Sequence, residues 1–359
     1  MNSFLFSAQF PRVVFGDGSL QHLEREIALL GAKRALVLST PEQQCQAEEI
    51  AQRLGERAVG VYAKAVMHAP IESLRAGHEE VKRRNADITL AVGGGSTIGL
   101  AKGIALEGNV PILAIPTTYA GSEMTPILGI TADGIKKTVR DPRILPKTVI
   151  YDPQLTLSLP AQLSATSGMN AIAHSVEALY AQDTNPIISL MAEESVRVLA
   201  NALPKIVTDT NNINARSDAQ YGAWLAGASL GAVGMALHHK LCHTLGGSFN
   251  LPHAETHTIV LPHAVAYNAM ACEPAMMRVS RALGLGAGLD VARGLYELVK
   301  SIGAPLALKD IGMREEDLDR AAEIATQNPY FNPRPVELVP IRKLLDNAFF
   351  GRRPDDARR

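Results

Sequence analysis

Residues 87 to 106 read DITLAVGGGSTIGLAKGIAL. A short apolar run, DITLAV (87 to 92), passes directly into Gly93, Gly94 and Gly95 and then into a helical pattern from Ser96 to Leu106. A strand that turns through glycine into a helix presents several backbone N–H groups at a positive helix end with no Cβ in the way, which makes a cradle for phosphate. The spacing matches neither GxGxxG nor a Walker A loop, and three glycines also suit a plain tight turn. A second loop weights the balance toward phosphate. PTT (116 to 118) follows the next strand, VPILAI (110 to 115), at the same end of the sheet, where open α/β sheets bind ligands.

On either side, short β-branched runs alternate with helical periodicity, the mark of a parallel sheet covered by helices. RALVLST (34 to 40), VGVYAKAV (59 to 66) and KTVIYDP (147 to 153) read as further strands, and EQQCQAEEIAQRL (42 to 54) and residues 71 to 84 as helices. PILGITADGIKKTVR (126 to 140) reads as a hairpin turning at Asp133-Gly134. Beyond Pro160 the pattern becomes successive helices, as in PIISLMAEESVRVLANALPKIV (186 to 207), ARSDAQYGAWLAGASLGAVG (215 to 234) and AMMRVSRALGLG (275 to 286). The expected architecture is α/β plus all-α: a Rossmann-like parallel-sheet dinucleotide domain over 1–157 and an all-helical domain over 158–359. The division falls in the proline-bearing YDPQLTLSLP (151 to 160). The polar tail GRRPDDARR (351 to 359) is expected to fray.

Composition excludes several classes. The 359 residues are enough for two cores, and 47% hydrophobic with 20% charged residues is ordinary for a globular enzyme. A formal net charge of −1 and the lack of a basic, aromatic-interleaved stripe give nucleic acid no footing as a partner. No run approaches the roughly 18 apolar residues that span a bilayer. The N-terminal MNSFLFSAQFPRVVFG has no basic segment followed by an apolar run, so neither a membrane nor a secretory leader is expected. Cys45, Cys242 and Cys272 form no CxxC and no even framework, and a reducing cytoplasm is the expected compartment.

Candidate chemistry gathers in the helical half. Asn170 and His174 lie four apart in SGMNAIAHSVEALY (167 to 180), and His239 and His243 repeat that spacing, so each pair shares a helix face. His253 follows a glycine-containing turn and could close the group from a third direction. A divalent metal would suit this arrangement if position 170 were a carboxylate, but it is an amide. Four readings stand: hydrogen-bonded core histidines, a weakened metal site at His174, His239 and His253, a metal-free site whose imidazoles supply protons and hydrogen bonds, and a nucleotide-binding protein without catalysis. His257 and His263 read as structural, and Cys242 as a small buried filler.

Seven stretches carry a resemblance: FGDGSL (15 to 20), GGGSTIGLAKGIAL (93 to 106), PTTYAGSEMTPILGIT (116 to 131), YDPQLT (151 to 156), SGMNAIAHSVEALY (167 to 180), LHHKLCHTLGGSFNLPHAETH (237 to 257) and NPYFNPRP (328 to 335). Together they resemble the iron-containing alcohol dehydrogenase family over essentially the whole chain, and within it the maleylacetate reductase branch, which does not depend on a metal. The resemblance implies an active site in the cleft between the two domains, and a homodimer. It also implies that Gly94, Gly95 and Ser96 hold the pyrophosphate of NADH or NADPH, with Thr117, Thr118 and Ser122 on its nicotinamide ribose side. Lys137 is either a ribose contact or a solvated hairpin lysine. Ser39 and Thr40 end the first strand where many relatives carry an aspartate for the adenosine ribose, so NADPH is expected to be accepted beside NADH.

Further departures accompany Asn170. Gly99 stands where metal-dependent relatives carry an acidic residue, PTTYAGSE is shorter than their PTTAGTGSE and carries Tyr119 in its tip, and His238 adds a donor beside His239. These favour the metal-free reading. The resemblance then implies reduction of the C=C bond of maleylacetate, a small dicarboxylate, and of chloromaleylacetates, giving 3-oxoadipate from the parent compound. The alternative is a metal-dependent alcohol dehydrogenase. Hydride arriving at the carbon β to the ketone leaves enolate charge that needs donors and a neighbouring carbon that needs a proton. His243 is the first choice as proton donor and His253 the second, with His174, His239 and Asn170 positioning substrate and oxyanion. Arg334 is a candidate carboxylate clamp, with Tyr330, Tyr119 and His238 on the substrate side. The competing reading of Arg334 is a capped loop.

Overall fold

Every residue of the strand Ile88–Gly93 is buried, as a strand covered on both faces must be. The computed structural model describes residues 3, 4, 6–132, 135–286, 290–327 and 330–354. Its strands are β1 (Arg12–Phe15), β2 (Ala35–Leu38), β3 (Ala58–Tyr62), β4 (Ile88–Gly93), β5 (Ile112–Pro116), β6 (Ile127–Ala132), β7 (Ile135–Arg140) and β8 (Thr148–Tyr151). Six of them form one parallel sheet in the order β1-β8-β5-β4-β2-β3. The helices α1 (Leu23–Leu29), α2 (Gln44–Leu54), α3 (Ile71–Arg84) and α4 (Gly95–Gly108) make the crossovers. On one face of the sheet Leu23, Ile27, Ala47, Ile50 and Leu54 of the helices pack against Val37, Leu90 and Ile115 of the strands. β6 and β7 pair antiparallel as the expected hairpin, whose Asp133-Gly134 turn lies outside the described residues, as do 355–359 of the expected frayed tail.

Gly93 ends β4 with φ +151°, a conformation that L side chains rarely adopt. A Cβ there would fall 2.4 Å from Thr97 Oγ1 and 2.8 Å from Gln43 Oε1. Only glycine lets the strand turn this sharply into α4.

The chain divides into two compact units, Gln9–Leu159 and Pro160–Arg359, the latter grouped with Met1–Ala8. The division falls two residues after the 157/158 boundary read from sequence, because the turn after β8 is still closing: the Leu159 amide donates to the Thr156 carbonyl at 3.0 Å, and Pro160 is the N-cap of the next helix. That helical unit comprises α5 (Ala161–Tyr180), α6 (Pro186–Thr208), α7 (Ile213–Ala232), α8 (Leu237–Phe249), α9 (His253–Asn268), α10 (Glu273–Ala282), α11 (Val291–Ser301), α12 (Leu318–Thr326) and α13 (Leu338–Phe350).

α5 is buried from Ser164 through Tyr180, all round, as the central helix of a bundle must be. Its small residues permit close packing: a Cβ on Gly168 would overlap Leu203 of α6 at 2.4 Å. Asn185 caps α6 by accepting from the Ile187 and Ile188 amides, and Asn212 caps α7 through Ala215. Among the described residues no helix is long and apolar enough to cross a membrane.

Replacing Gly93 with alanine should cost about 2 kcal/mol, the scale of one forbidden backbone conformation. Urea unfolding measures it, and an unchanged midpoint would show that the turn relaxes without strain.

Candidate functional site

The α/β unit builds the cradle. α4 opens at Gly94, whose extended backbone has no side-chain cap, so the first-turn amides are left for a ligand. Gly95 is exposed, and a Cβ on it would meet nothing within 4 Å. The 116–118 loop lies directly alongside: the Thr117 amide donates to the Gly93 carbonyl at 3.2 Å, and a Cβ on Gly94 would fall 2.7 Å from Thr118 Cγ2. Gln43 Nε2 donates to Thr117 Oγ1 at 2.6 Å, a contact that the sequence reading did not find. Gly94, Gly95, Ser96, Thr117 and Thr118 are thus brought together. Ser122 lies farther along the same loop, with its carbonyl 2.7 Å from Lys102 Nζ. Ser39 is fully buried at the end of β2 with no hydrogen-bond partner for its hydroxyl among the described residues, and Lys137 is exposed on β7. Gly99 is buried beside Ala69 and Leu128, where a carboxylate would be stripped of water.

In the helical unit, α5, α8 and α9 bring six imidazoles together. His174 stacks on His239 with ring centroids 5.1 Å apart, His239 lies 6.0 Å from His243 and 5.1 Å from His257, and His253 lies 4.3 Å from His257. His238 is 5.3 Å from His239. Asn170, also buried, is one turn before His174 on α5. His174, His238, His239 and His257 are buried, whereas His243 and His253 are half-buried and are the members open to solvent.

One turn beyond His174, Glu177 organises this cluster. Its carboxylate is fully buried, accepts from the Ala236 amide at 2.9 Å and the His238 amide at 2.7 Å, and lies 2.6 Å from His239 Nδ1. A proton on Nδ1 completes that third bond, which leaves His239 Nε2 as a lone pair. His239 Nε2, His174 Nδ1 and His257 Nε2 are buried with no hydrogen-bond partner among the described residues, and one ring nitrogen from each of the three lies within 4.8 Å of the others.

Three such nitrogens fit a nitrogen-preferring divalent cation. The close trio contains His257 in place of the expected His253, because His253 is the first residue of α9 and half-buried whereas His257 is one turn deeper. No carboxylate belongs to the trio, and Glu177 stands one step back on His239.

The residues expected on the substrate side each make contacts within the protein. Tyr119 is fully buried and its hydroxyl donates to Thr156 Oγ1 at 3.3 Å, so the loop tip folds into the core. His238 Nε2 pairs with His257 Nδ1 at 3.0 Å and lies 3.6 Å from Cys242 Sγ, which places it beneath the cluster. The Tyr330 hydroxyl donates to the Ala325 carbonyl at 3.2 Å. The Arg334 guanidinium lies 4.2 Å over the Tyr267 ring and donates to the Tyr267 carbonyl at 3.2 Å, and the adjacent Asn332 exchanges amide hydrogen bonds with Asn268 at 2.9 and 2.7 Å. These contacts anchor Arg334 and Asn332 on α9; Asn328 and Pro329 of the same stretch lie outside the described residues.

Comparison with known proteins fits this geometry. Residues 11–153 match the iron-containing alcohol dehydrogenase model, and residues 164–349 match the C-terminal model of the Fe-containing alcohol dehydrogenase family. The chain belongs to the iron-containing alcohol dehydrogenase family. Within it, a maleylacetate reductase from Burkholderia cepacia is 58% identical over 354 residues, covering 99% of this chain and 100% of that one. The crystal structure of maleylacetate reductase from Agrobacterium tumefaciens is similar with a TM-score of 0.93 at 50% identity, covering 99% of this chain and 100% of its own. That of a putative alcohol dehydrogenase from Ralstonia eutropha JMP134 gives 0.97 at 60% identity over the same shares.

Burial, reinforced by neighbouring imidazoles, holds His174, His238 and His257 well below the ordinary imidazole value, and burial alone takes His263 down to about 4. Below about pH 6.5 the unfolded chain takes up these protons and the folded chain does not. Stability from these groups is therefore fully present above that pH and falls as pH drops, by up to about 1.4 kcal/mol per pH unit for each histidine. Unfolding midpoints at pH 7.5 and 5 should show a large acid loss, and a flat profile would contradict neutral burial. Glu177→Ala should cost about 3 kcal/mol or more by leaving two backbone amides and His239 unmatched. A loss under about 1 kcal/mol in urea would remove Glu177 as the organiser.

Proposed function

We propose that the chain reduces the C=C bond of maleylacetate with NADH or NADPH, giving 3-oxoadipate. The observation that carries this is the protic cluster itself: buried imidazoles organised by Glu177, flanked by half-buried His243 and His253, with an amide at position 170. High identity to reductases of that name supports the substrate.

A nicotinamide nucleotide supplies hydride. Its pyrophosphate is assigned to the first-turn amides of α4 at Gly95 and Ser96, beside Thr117 and Thr118. Hydride goes to the carbon β to the ketone, the C=C π pair moves to form the enolate, and the adjacent carbon then takes a proton. His174 donates to the enolate oxygen beside Asn170, and its burial strengthens that hydrogen bond, while His239, its proton held by Glu177, positions the group. His243 delivers the proton, with His253 second, since both combine membership of the cluster with access to solvent for reprotonation.

A divalent cation, if bound, would be held by His174, His239 and His257 and would supply Lewis-acid polarisation of the ketone oxygen. The protic route requires none. A chlorine on the carbon that receives hydride can leave as chloride when the enolate pair re-forms the C=C bond, giving maleylacetate that a second hydride then reduces, which extends the substrate range to chloromaleylacetates. On the family resemblance, the enzyme is taken to be a cytoplasmic homodimer.

NADH carrying deuterium at C4, supplied with freshly generated maleylacetate, should place that deuterium on the carbon β to the ketone of 3-oxoadipate. Turnover of alcohols or aldehydes with no reaction of maleylacetate would overturn the assignment. On the family resemblance, Ser39→Asp puts a carboxylate at the end of β2 where many relatives carry one for the adenosine ribose, and should shift selectivity toward NADH by roughly tenfold or more. An unchanged NADPH to NADH ratio would remove Ser39 from cofactor choice.

A further inference from the structure

Lys102 lies two turns along α4 from the cradle and is fully buried. Its ammonium donates to the Ser122 carbonyl at 2.7 Å, the Ile127 carbonyl at 2.8 Å and Thr125 Oγ1 at 3.0 Å, with Ser122 Oγ at 3.4 Å. These acceptors belong to the segment between β5 and β6 and, with Ile127, to the first residue of β6. At its near end that segment carries Thr117 and Thr118 against Gly93 and Gly94. Three N–H donors meet three acceptors within 3.0 Å, with Ser122 Oγ a longer fourth, and a lysine supplies those three donors.

An apolar residue would fill the same space without the cost of burying a cation. Burial pulls the Lys102 ammonium down to about 7, with nearby Glu123 acting in the opposite direction, and Glu123 itself is buried and accepts from the Tyr151 hydroxyl at 2.6 Å. Buried charge contributes little net stability, and its attested use is to fix one arrangement among several. Here the arrangement fixed is the distance between the α4 amides and the loop that passes in front of them.

We propose that Lys102 is a positioning residue for the nicotinamide cofactor: it ties the helix that opens with the glycine cradle to the Ser122–Ile127 segment, and so holds the two cofactor-binding loops in register. This rests on the cofactor reading given above. Lysine acts through the loop and touches no reacting atom.

The test is NADH titration of the full-length protein by nicotinamide fluorescence without substrate, alongside steady-state kinetics, for the wild type, Lys102→Met and Thr125→Val. Lys102→Met should raise the NADH Kd and KM roughly tenfold, with the KM for the dicarboxylate changing less than about twofold. Thr125→Val, which removes one acceptor and keeps the shape, should raise the NADH Kd about two- to threefold and serves if Lys102→Met does not fold. Lower melting temperatures with unchanged NADH Kd in the folded variants would make Lys102 a core residue only and overturn the inference. A wild type that binds no nicotinamide nucleotide would overturn the cofactor reading and this inference with it, an outcome distinct from the first.

Discussion

The helical unit depends on where one carboxylate is buried. Glu177 accepts two backbone amides from the start of α8 and aligns His239 through Nδ1, so it fixes the entry of α8 against α5 and the direction of an imidazole in one stroke. Remove it, and two amides and a ring nitrogen lose their partner inside a bundle that water does not reach. The arrangement also fixes chemistry. With the proton of His239 directed to Glu177, its other nitrogen presents a lone pair to His174 and His257, whose own ring nitrogens lack partners.

Much of the fold could be read from the chain. The strand DITLAV, the turn through Gly93 and the helix after it appear as β4 and α4, because a run that is apolar throughout and followed by glycine leaves few alternatives. The helix read over 71 to 84 is α3 with the same bounds, ended by Asn85 in a left-handed conformation. Boundaries moved where a turn carries on beyond the strand, as after β8.

The site was less legible. Glu177 completes an i, i+4, i+7 series with Asn170 and His174, and His257 repeats the four-residue spacing from His253; both signals were present in the sequence. His257 read as core because the apolar stretch around it is a core helix, and burial is in fact what places its ring beside His239. For Tyr119, Arg334 and Lys102 no spacing rule could have told. Each acts through a partner far along the chain or through a backbone carbonyl, and only the folded backbone supplies those.

The central claim is that this cluster does protic work without a metal. Its measurement is maleylacetate-dependent NADH oxidation by chelator-stripped enzyme, followed while zinc or ferrous ion is titrated to one equivalent per chain. The account predicts full activity at zero metal and no rise on addition. Activity that appears only in proportion to bound metal would contradict it, and would make the trio His174, His239 and His257 a metal centre first.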